Sequence, residues 1–282
     1  MSKLEHHYRD ARKLALGTDE RASLALEACL NAGEILMKYW QSLTNDDIRE
    51  KGLGDLVTCA DTDSEAAVSE FLRKEMPEAG IVCEEGTRRE GQGLVWYLDP
   101  LDGTTNFVQR FPVFAVSLGL VEIRENAPPN LICGVVYNPV SGDLFWGVKG
   151  KGSYLNTARL IVSSKSRLSD AVLATGFPRR HHEELAPYLK EFAVIFPKCR
   201  AIRRAGAAAL DLCWTAQGLF DGFWEHRLSP WDIAAGALIV QEAGGVCCDF
   251  EGEENFLASG NIIGASPAIK KQIVQCIAES RM

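Results

Sequence analysis

Two aspartates stand close together in the segment LDPLDGTTNF, which follows an apolar run. Asp99 and Asp102 lie on either side of Pro100, and both proline and Asp-Gly are ordinary chemistry for a surface turn. The alternative is a binding site for a divalent cation beside a phosphate group. In that case Pro100 would hold the turn rigid, so that both carboxylates and the carbonyl of Leu101 face one point.

The residues after this pair suit a phosphate. Gly103 lets the backbone approach a ligand closely, and the amides of Gly103 and Thr104 would open a helix toward a phosphate group. With each residue type at about one in twenty, D-P-x-D-G-T should occur by chance in a chain of this length roughly once in ten thousand sequences. The pattern therefore favours the cation and phosphate site over the turn.

Further acids lie at the ends of other predicted strands and helices. Glu84 and Glu85 come after GIVC, and Asp232 begins the helical run PWDIAAGALIVQEAGG. Carboxylate oxygens are the ligands that Mg²⁺ prefers. Taken alone, CEEG is typical of a solvated turn and Asp232 of a helix N-cap. All three acidic segments in one chain favour a metal site.

Composition excludes several classes of protein. The net charge of −8 and the pI near 5.3 argue against a nucleic-acid surface, although bound metal ions would let an acidic protein hold a phosphorylated substrate. Nine cysteines without a C-x-x-C pair predict mostly buried thiols in a reducing compartment. No apolar run reaches membrane-spanning length and the start of the chain lacks an apolar signal sequence, so we expect a cytoplasmic protein that does not enter a membrane.

The elements that must position these acids alternate between helical and strand-like patterns. Residues 1–18 read as a polar, helical N-terminal extension, with Thr18 or Asp19 capping a long helix. DLVTCADTDSEAAVSEFLRKEM predicts a short strand and a second helix, and VFAVSLGLVEI, LICGVVYNP and DLFWGVKGKGSYLN predict an antiparallel meander. We predict one α/β catalytic domain over 19–282, with an α+β half (19–157) and an α/β half (158–282).

From about residue 20 onward the chain resembles the inositol monophosphatase family of lithium-sensitive, Mg²⁺-dependent phosphatases, its bacterial members in particular. The resemblance is carried by DLVTCAD, CEEG, LDPLDGTTNF, RRAGAAALDL and DGFWEHRLSPWDIAAG. It implies a layered αβαβα sandwich of the sugar-phosphatase type, a homodimer, and hydrolysis of a small polyol phosphate, inositol monophosphate first, by in-line attack of a metal-activated water. Alternatives are fructose 1,6-bisphosphate, histidinol phosphate or a nucleotide phosphate as substrate, or a regulatory protein that keeps the fold and binds a partner.

The resemblance also implies roles for individual residues. Two or three Mg²⁺ ions would be bound by Glu84, Asp99, the Leu101 carbonyl, Asp102 and Asp232. Thr104 and Asp61, with Glu85 nearby, would polarise the attacking water. The substrate would contact Leu101, Asp102, Gly103, Thr104, Gly206, Ala207, Ala208, Glu225 and Asp232, with Glu225 reaching its hydroxyls.

A few positions depart from the family pattern or stay open. Lys51 stands four residues before Asp55, where the family has a lysine five before, so it receives no role. Ala207 replaces a common Ser or Thr, and His226 is unexpected, with a rim position predicted for it. The pairs His6-His7 and His181-His182 are predicted on a solvated surface, and Arg203-Arg204 is left open between anion binding and an interface.

Overall fold

A computed structural model describes residues 3–52, 55–125, 127–178 and 181–282, with the side chains of 3–7, 45, 51, 52 and 55 outside the description, so the predictions for His6-His7 and Lys51 lie outside it. The helices are α1 (Lys3–Thr18), α2 (Glu20–Ser42), α3 (Cys59–Glu75), α4 (Thr104–Val108), α5 (Leu185–Ile195), α6 (Ala208–Ala216), α7 (Pro230–Glu242), α8 (Phe256–Ser259) and α9 (Pro267–Ser280). The strands are β1 (Ile48–Gly52), β2 (Asp55–Thr58), β3 (Gly80–Cys83), β4 (Arg88–Arg89), β5 (Leu94–Asp102), β6 (Ala115–Glu122), β7 (Asn130–Asn138), β8 (Asp143–Val148), β9 (Gly152–Leu155), β10 (Ala158–Arg159), β11 (Val172–Thr175), β12 (Ala201–Arg203), β13 (Gly222–Glu225), β14 (Val246–Cys248) and β15 (Ile262–Ala265).

Local capping chemistry sets where the main helices begin. Asp19 caps α2 by accepting a hydrogen bond from the amide of Arg21. Ser229 caps α7, with Pro230 in the first turn, and Asp232 is the acidic member of a capping box. The N-cap interpretation of Asp232 is therefore wrong, because Asp232 is the third residue of the helix and its carboxylate accepts from the Ser229 amide at 2.6 Å.

The larger sheet has the strand order β10-β9-β8-β7-β6-β5-β3-β4. Strands β5 to β10 pair antiparallel in sequence order, which confirms the meander predicted for the runs that form β6 to β9. Strand β3 lies parallel to β5. The smaller sheet has the order β12-β11-β13-β15-β14, in which β12, β11 and β13 are parallel and the last two strands run antiparallel. A separate hairpin joins β1 and β2.

Three apolar clusters divide the molecule into layers. The first holds α1, α2 and α3 against one face of the larger sheet, and includes Leu26, Leu72 and Trp96. The second fills the space between the sheets, where α6 and α7 pack. The third lies beyond the smaller sheet, under α5 and α9, and includes Ile273. The layers therefore run α, β, α, β, α, which is the predicted architecture.

Helix α1 takes part in the first layer. Ala11 and Ala15 are fully buried in the first apolar cluster, and the hydroxyls of Tyr8 and Tyr137 lie 2.6 Å apart. The segment is helical as predicted, but its buried alanines correct the expectation of a merely polar extension. Small side chains on one face let α1 approach α2 closely.

All nine cysteines are free thiols, and seven of them are buried. This agrees with the expectation of mostly buried thiols. Within the residues that the structure describes, no helix is long and apolar enough to cross a membrane.

Candidate active site

The acidic segment LDPLDG ends β5 and faces a cavity between the two sheets. The pairing of β5 with β6 is irregular between Asp99 and Asp102, so the chain bulges at Pro100. The Leu101 amide donates to Asp99 Oδ1 at 2.9 Å, which folds this carboxylate back over the turn. Both aspartates are buried, and Leu101 lines the cavity with them. The bulge therefore keeps two carboxylates and one carbonyl on the same wall.

The CEEG turn is held in place by a third glutamate. Glu65, on α3, is buried and accepts the amides of Glu85 at 2.8 Å and of Thr87 at 2.9 Å. These bonds leave the Glu84 side chain lining the same cavity as Asp99. The turn is therefore part of the cavity wall and not a freely solvated loop.

Thr104 and Asp61 contact each other at the N-terminus of α4. The Thr104 hydroxyl lies 3.3 Å from Asp61 Oδ1 and 3.1 Å from the Leu101 carbonyl. The other oxygen of Asp61 accepts the amide and the hydroxyl of Thr58, the capping pair of α3. Burial, with smaller contributions from Glu85 and Glu84, raises the pKa of Asp61 to about 7.

A second wall comes from the loop before α6. Asp102 Oδ2 accepts the amide of Ala209 at 2.8 Å, so this carboxylate sits at the first turn of α6. Gly103 (φ +90°) and Gly206 (φ +92°) adopt left-handed conformations that favour glycine. The Asn106 side-chain amide donates to the carbonyl of Ala205 at 3.0 Å, and this bond ties α4 to the loop. Gly206, Ala207 and Ala208 consequently line the cavity, as do Gly103 and Thr104.

The end of β13 and the start of α7 complete the cavity. Asp232 and the partly buried Glu225 both line it. Burial raises the pKa of Glu225 to about 8, with Arg204 lowering it and Asp102 raising it. A side chain at Gly176 would collide with the Glu225 carboxylate, so the glycine makes room for the acid. The cavity volume of about 220 Å³ lies below the roughly 300–1,000 Å³ of sites for drug-sized ligands, which favours a small substrate.

The carboxylates act on one another electrostatically. Burial raises the pKa of Asp99 well above its ordinary value, and Glu84, Asp102 and Asp232 raise it further. Burial also raises the pKa of Asp102 to about 7 against the opposing bonds from α6. Within the described ranges, no three His, Cys, Asp or Glu side chains are already arranged as ligands of one ion. A hard cation nevertheless fits this donor set, since it would relieve the repulsion and prefers oxygen ligands.

Three surface predictions need correction or refinement. His226 is buried and does not lie on the rim: its Nε2 lies 2.7 Å from Glu191 Oε2, and Phe250 packs against its ring. His181 is partly buried and lines the cavity, whereas His182 is exposed as predicted. Arg204 lines the cavity with its guanidinium over the ring of Phe177, 5.2 Å from the centroid, while Arg203 is exposed and does not line it.

Several residues of the site had no role in the sequence analysis: Glu65, Asn106, Gly176 and Asp211. The first two left a faint signal, because Glu65 lies one helical turn after Asp61 and Asn106 belongs to LDPLDGTTNF. Asp211 belongs to RRAGAAALDL, a motif that carries the resemblance, but nothing in that motif assigned it a role. Gly176 lies outside every quoted motif and reaches the cavity only through the packing of distant strands.

The fold and the acidic cavity together are those of the layered sugar-phosphatase class. The chain belongs to the inositol monophosphatase family, whose model matches residues 18–282. The Nus factor SuhB of Escherichia coli is 39% identical over 254 residues, which cover 89% of this chain and 93% of that protein.

Solved structures show the same similarity. The extragenic suppressor protein suhB from Bartonella henselae is 36% identical, with a TM-score of 0.86 and coverage of 92% of this chain and 98% of that one. The inositol monophosphatase from Anabaena is 34% identical, with a TM-score of 0.80 over 92% and 96% of the two chains. The relatives thus carry two kinds of name: Nus factor or suppressor protein SuhB, and inositol monophosphatase.

Proposed function

We propose that the protein is a Mg²⁺-dependent phosphomonoesterase that hydrolyses a small polyol phosphate, with inositol monophosphate as the first candidate. The observation that carries the proposal is the set of four mutually repelling carboxylates, Glu84, Asp99, Asp102 and Asp232, around one small cavity. Such a set needs cations, and cations beside backbone amides suit a phosphate ester. Membership of the inositol monophosphatase family supports the same conclusion.

The residues fit two main cation positions. Glu84, Asp99 and the Leu101 carbonyl would hold one ion, and Asp99, Asp102 and Asp232 the other, with Glu84 also beside a third, weaker position. When bound, Mg²⁺ would supply Lewis-acid activation of water and stabilise charge on the leaving oxygen. The amides of Gly103 and Thr104 and the segment Gly206–Ala208 would hold the phosphate.

The protein's own groups would orient the attacking water and handle its proton. The Thr104 hydroxyl, directed at Asp61 Oδ1, keeps its oxygen lone pairs available to accept a hydrogen bond from water. Asp61, with its raised pKa, can receive a proton at Oδ1 through that hydroxyl. Glu85 adds negative charge beside this pair. The attack would be in line with the ester bond, and no covalent phospho-enzyme is required.

Specificity for the alcohol part of the substrate is assigned to Glu225, whose carboxylate would accept hydrogen bonds from ring hydroxyls. A cavity of about 220 Å³ favours a small monophosphate over a nucleotide. Fructose 1,6-bisphosphate and histidinol phosphate remain alternatives. We also propose, from the family resemblance, a homodimer in the cytoplasm with one catalytic domain over 19–282 and α1 outside the family match.

A second candidate function comes from the name of the relatives. A chain 39% identical to a Nus factor could act by binding a partner of the transcription machinery. All the acids that the enzymatic proposal needs are present, which favours the enzyme as the first function. A pull-down beside the activity assay distinguishes the two.

The test is turnover of a panel of phosphate monoesters with Mg²⁺, with phosphate release as the readout. We expect inositol monophosphate to give the highest kcat/KM of the panel. Faster hydrolysis of fructose 1,6-bisphosphate or histidinol phosphate would correct the substrate. No hydrolysis of any ester, together with capture of a partner, would replace the enzymatic function by the second candidate.

A further inference from the structure

The Asp211 carboxyl lies in the cavity wall and has no role in the reaction proposed above. It belongs to the first turn of α6, and only 1% of the residue is exposed. Its Oδ1 is buried without a hydrogen-bond partner among the described residues, although the side chain lines the cavity. Because an unpaired buried carboxyl opposes folding, such a group requires an explanation.

A structural role does not supply one. An acid near the start of a helix interacts favourably with the helix dipole, but that interaction leaves Oδ1 without a donor. The amides at the start of α6 are already bound by Asp102, so Asp211 is not the cap. The charged groups that act on Asp211 are Glu225, Asp102 and Arg204, and all of them line the same cavity. The Asp211 carboxyl is therefore part of the cavity wall, among the charged groups beside which the alcohol part of a substrate would lie.

We infer that Asp211 is a specificity-determining residue that hydrogen-bonds a hydroxyl of the substrate alcohol, beside the hydroxyl assigned to Glu225. The inference rests on the proposed function and makes its substrate class more specific. A hydroxyl both donates and accepts, so it complements the carboxyl whether or not the carboxyl carries a proton.

The same surroundings select against a second phosphate. A bisphosphate would carry negative charge toward Asp211 and Glu225, two acids whose repulsion Arg204 only partly offsets. A neutral polyol brings hydroxyls to both acids and leaves the guanidinium free to donate to a further oxygen. The substrate class is accordingly a monophosphate of an uncharged polyol with at least two neighbouring hydroxyls, which ranks fructose 1,6-bisphosphate below inositol monophosphate.

The experiment compares inositol monophosphate with cyclohexyl phosphate, which has the same ring size and no hydroxyls. Asp211→Ala should lower the ratio of kcat/KM for the two substrates about ten-fold, since one hydrogen bond to a charged or buried group is lost. Asp211→Asn should keep most of the ratio, because an amide also donates and accepts. Asp221→Asn is the matched control: Asp221 is a buried aspartate bound to Lys165, does not line the cavity, and should leave the ratio within two-fold of wild type.

The melting temperature separates recognition from structure. Asp211→Ala should melt no lower than the wild type, because it removes an unpaired buried acid. Equal losses on both substrates with a lower melting temperature would overturn the inference, as would an unchanged ratio. If the wild type hydrolyses neither ester, the proposed function fails. In that case calorimetry of the two esters with Mg²⁺ tests the inference by binding alone. Asp211→Ala must then weaken the binding of inositol monophosphate about ten-fold more than the binding of cyclohexyl phosphate.

Discussion

Replacing Asp102 by asparagine tests the acidic cluster through stability as well as activity. Burial raises the pKa of Asp102 to about 7, whereas an unfolded aspartate titrates near 3.9. Between about pH 4 and pH 7 the folded state therefore binds more protons than the unfolded state at this residue, and stability falls as pH rises. The raised pKa corresponds to about 4 kcal/mol of destabilisation at pH 8, as an upper value, and to about 1–2 kcal/mol at pH 5.

Asparagine removes this penalty and keeps an oxygen for the Ala209 amide, which now donates to Asp102 Oδ2 at 2.8 Å. The new NH₂ group costs roughly 1–3 kcal/mol where it finds no acceptor. In chelator at pH 8 we expect the Asp102→Asn variant to be more stable by about 1–2 kcal/mol, a rise in Tm of about 2–8 °C for a chain of this size. At pH 5 the two proteins should melt at nearly the same temperature.

Scanning calorimetry at the two pH values measures this difference, and phosphate release with Mg²⁺ measures turnover, which the variant should lack. Asp221→Asn is the control for loss of a buried acid. Its carboxylate accepts from Lys165 at 2.9 Å and from the Val172 amide at 2.6 Å, so its loss should lower Tm. A fall in the Tm of Asp102→Asn at pH 8 would show that Asp102 is structural, and retained turnover would remove it from the metal site.

The other predictions concern the metal, the alcohol and the CEEG turn. Activity should disappear in chelator and return with Mg²⁺, and full activity in chelator would contradict the metal site. Millimolar Li⁺ should inhibit, because a monovalent ion that takes a cation position brings too little charge. At pH 9, above the Glu225 pKa of about 8, Glu225→Ala should lower kcat/KM for inositol monophosphate relative to p-nitrophenyl phosphate about ten- to a hundred-fold. The reason is the loss of roughly 1.5–3 kcal/mol of charge-assisted bonds, and equal losses on both esters would indicate a disturbed metal site. Glu65→Ala should cost roughly 2–4 kcal/mol in denaturant unfolding, because two amides lose a buried acceptor, and should weaken Mg²⁺ binding by calorimetry; unchanged stability would refute this role.

Short-range chemistry explains what the sequence analysis could predict. The turn that brings Asp99 and Asp102 to one wall, the strand and helix of DLVTCADTDSEAAVSEFLRKEM, and the meander of β6 to β9 depend on neighbouring residues or on consecutive strands. Their patterns are therefore visible without a three-dimensional structure. Asp232 was correctly placed at the beginning of a helix, and only its position within the first turn was wrong.

Residues whose environment comes from distant segments could not be placed in this way. The rim position predicted for His226 is wrong because α5 brings Glu191 Oε2 to 2.7 Å from His226 Nε2. Glu65 looks like a solvated residue of an amphipathic helix until the amides of Glu85 and Thr87 are seen to need an acceptor. In both cases the decisive contact joins segments more than 19 residues apart.

Different parts of the fold form the two ends of the cavity: the acidic end, where the cations are proposed, and the alcohol end, where the alcohol part of the substrate would lie. Glu84 follows β3, and Asp99 and Asp102 lie in the last part of β5, so the acidic end depends on the bulge in β5 and the turn after β3. Glu225 ends a strand of the smaller sheet, and Asp211 belongs to α6, which packs between the sheets. The bond from the Ala209 amide to Asp102 joins the two ends through the backbone of α6 and does not involve the side chains of Asp211 or Glu225. Substitutions of those two side chains can therefore change the preferred substrate while Asp61, Thr104 and the proposed cation ligands keep their geometry. A change of substrate within this fold therefore requires no change in the hydrolytic chemistry.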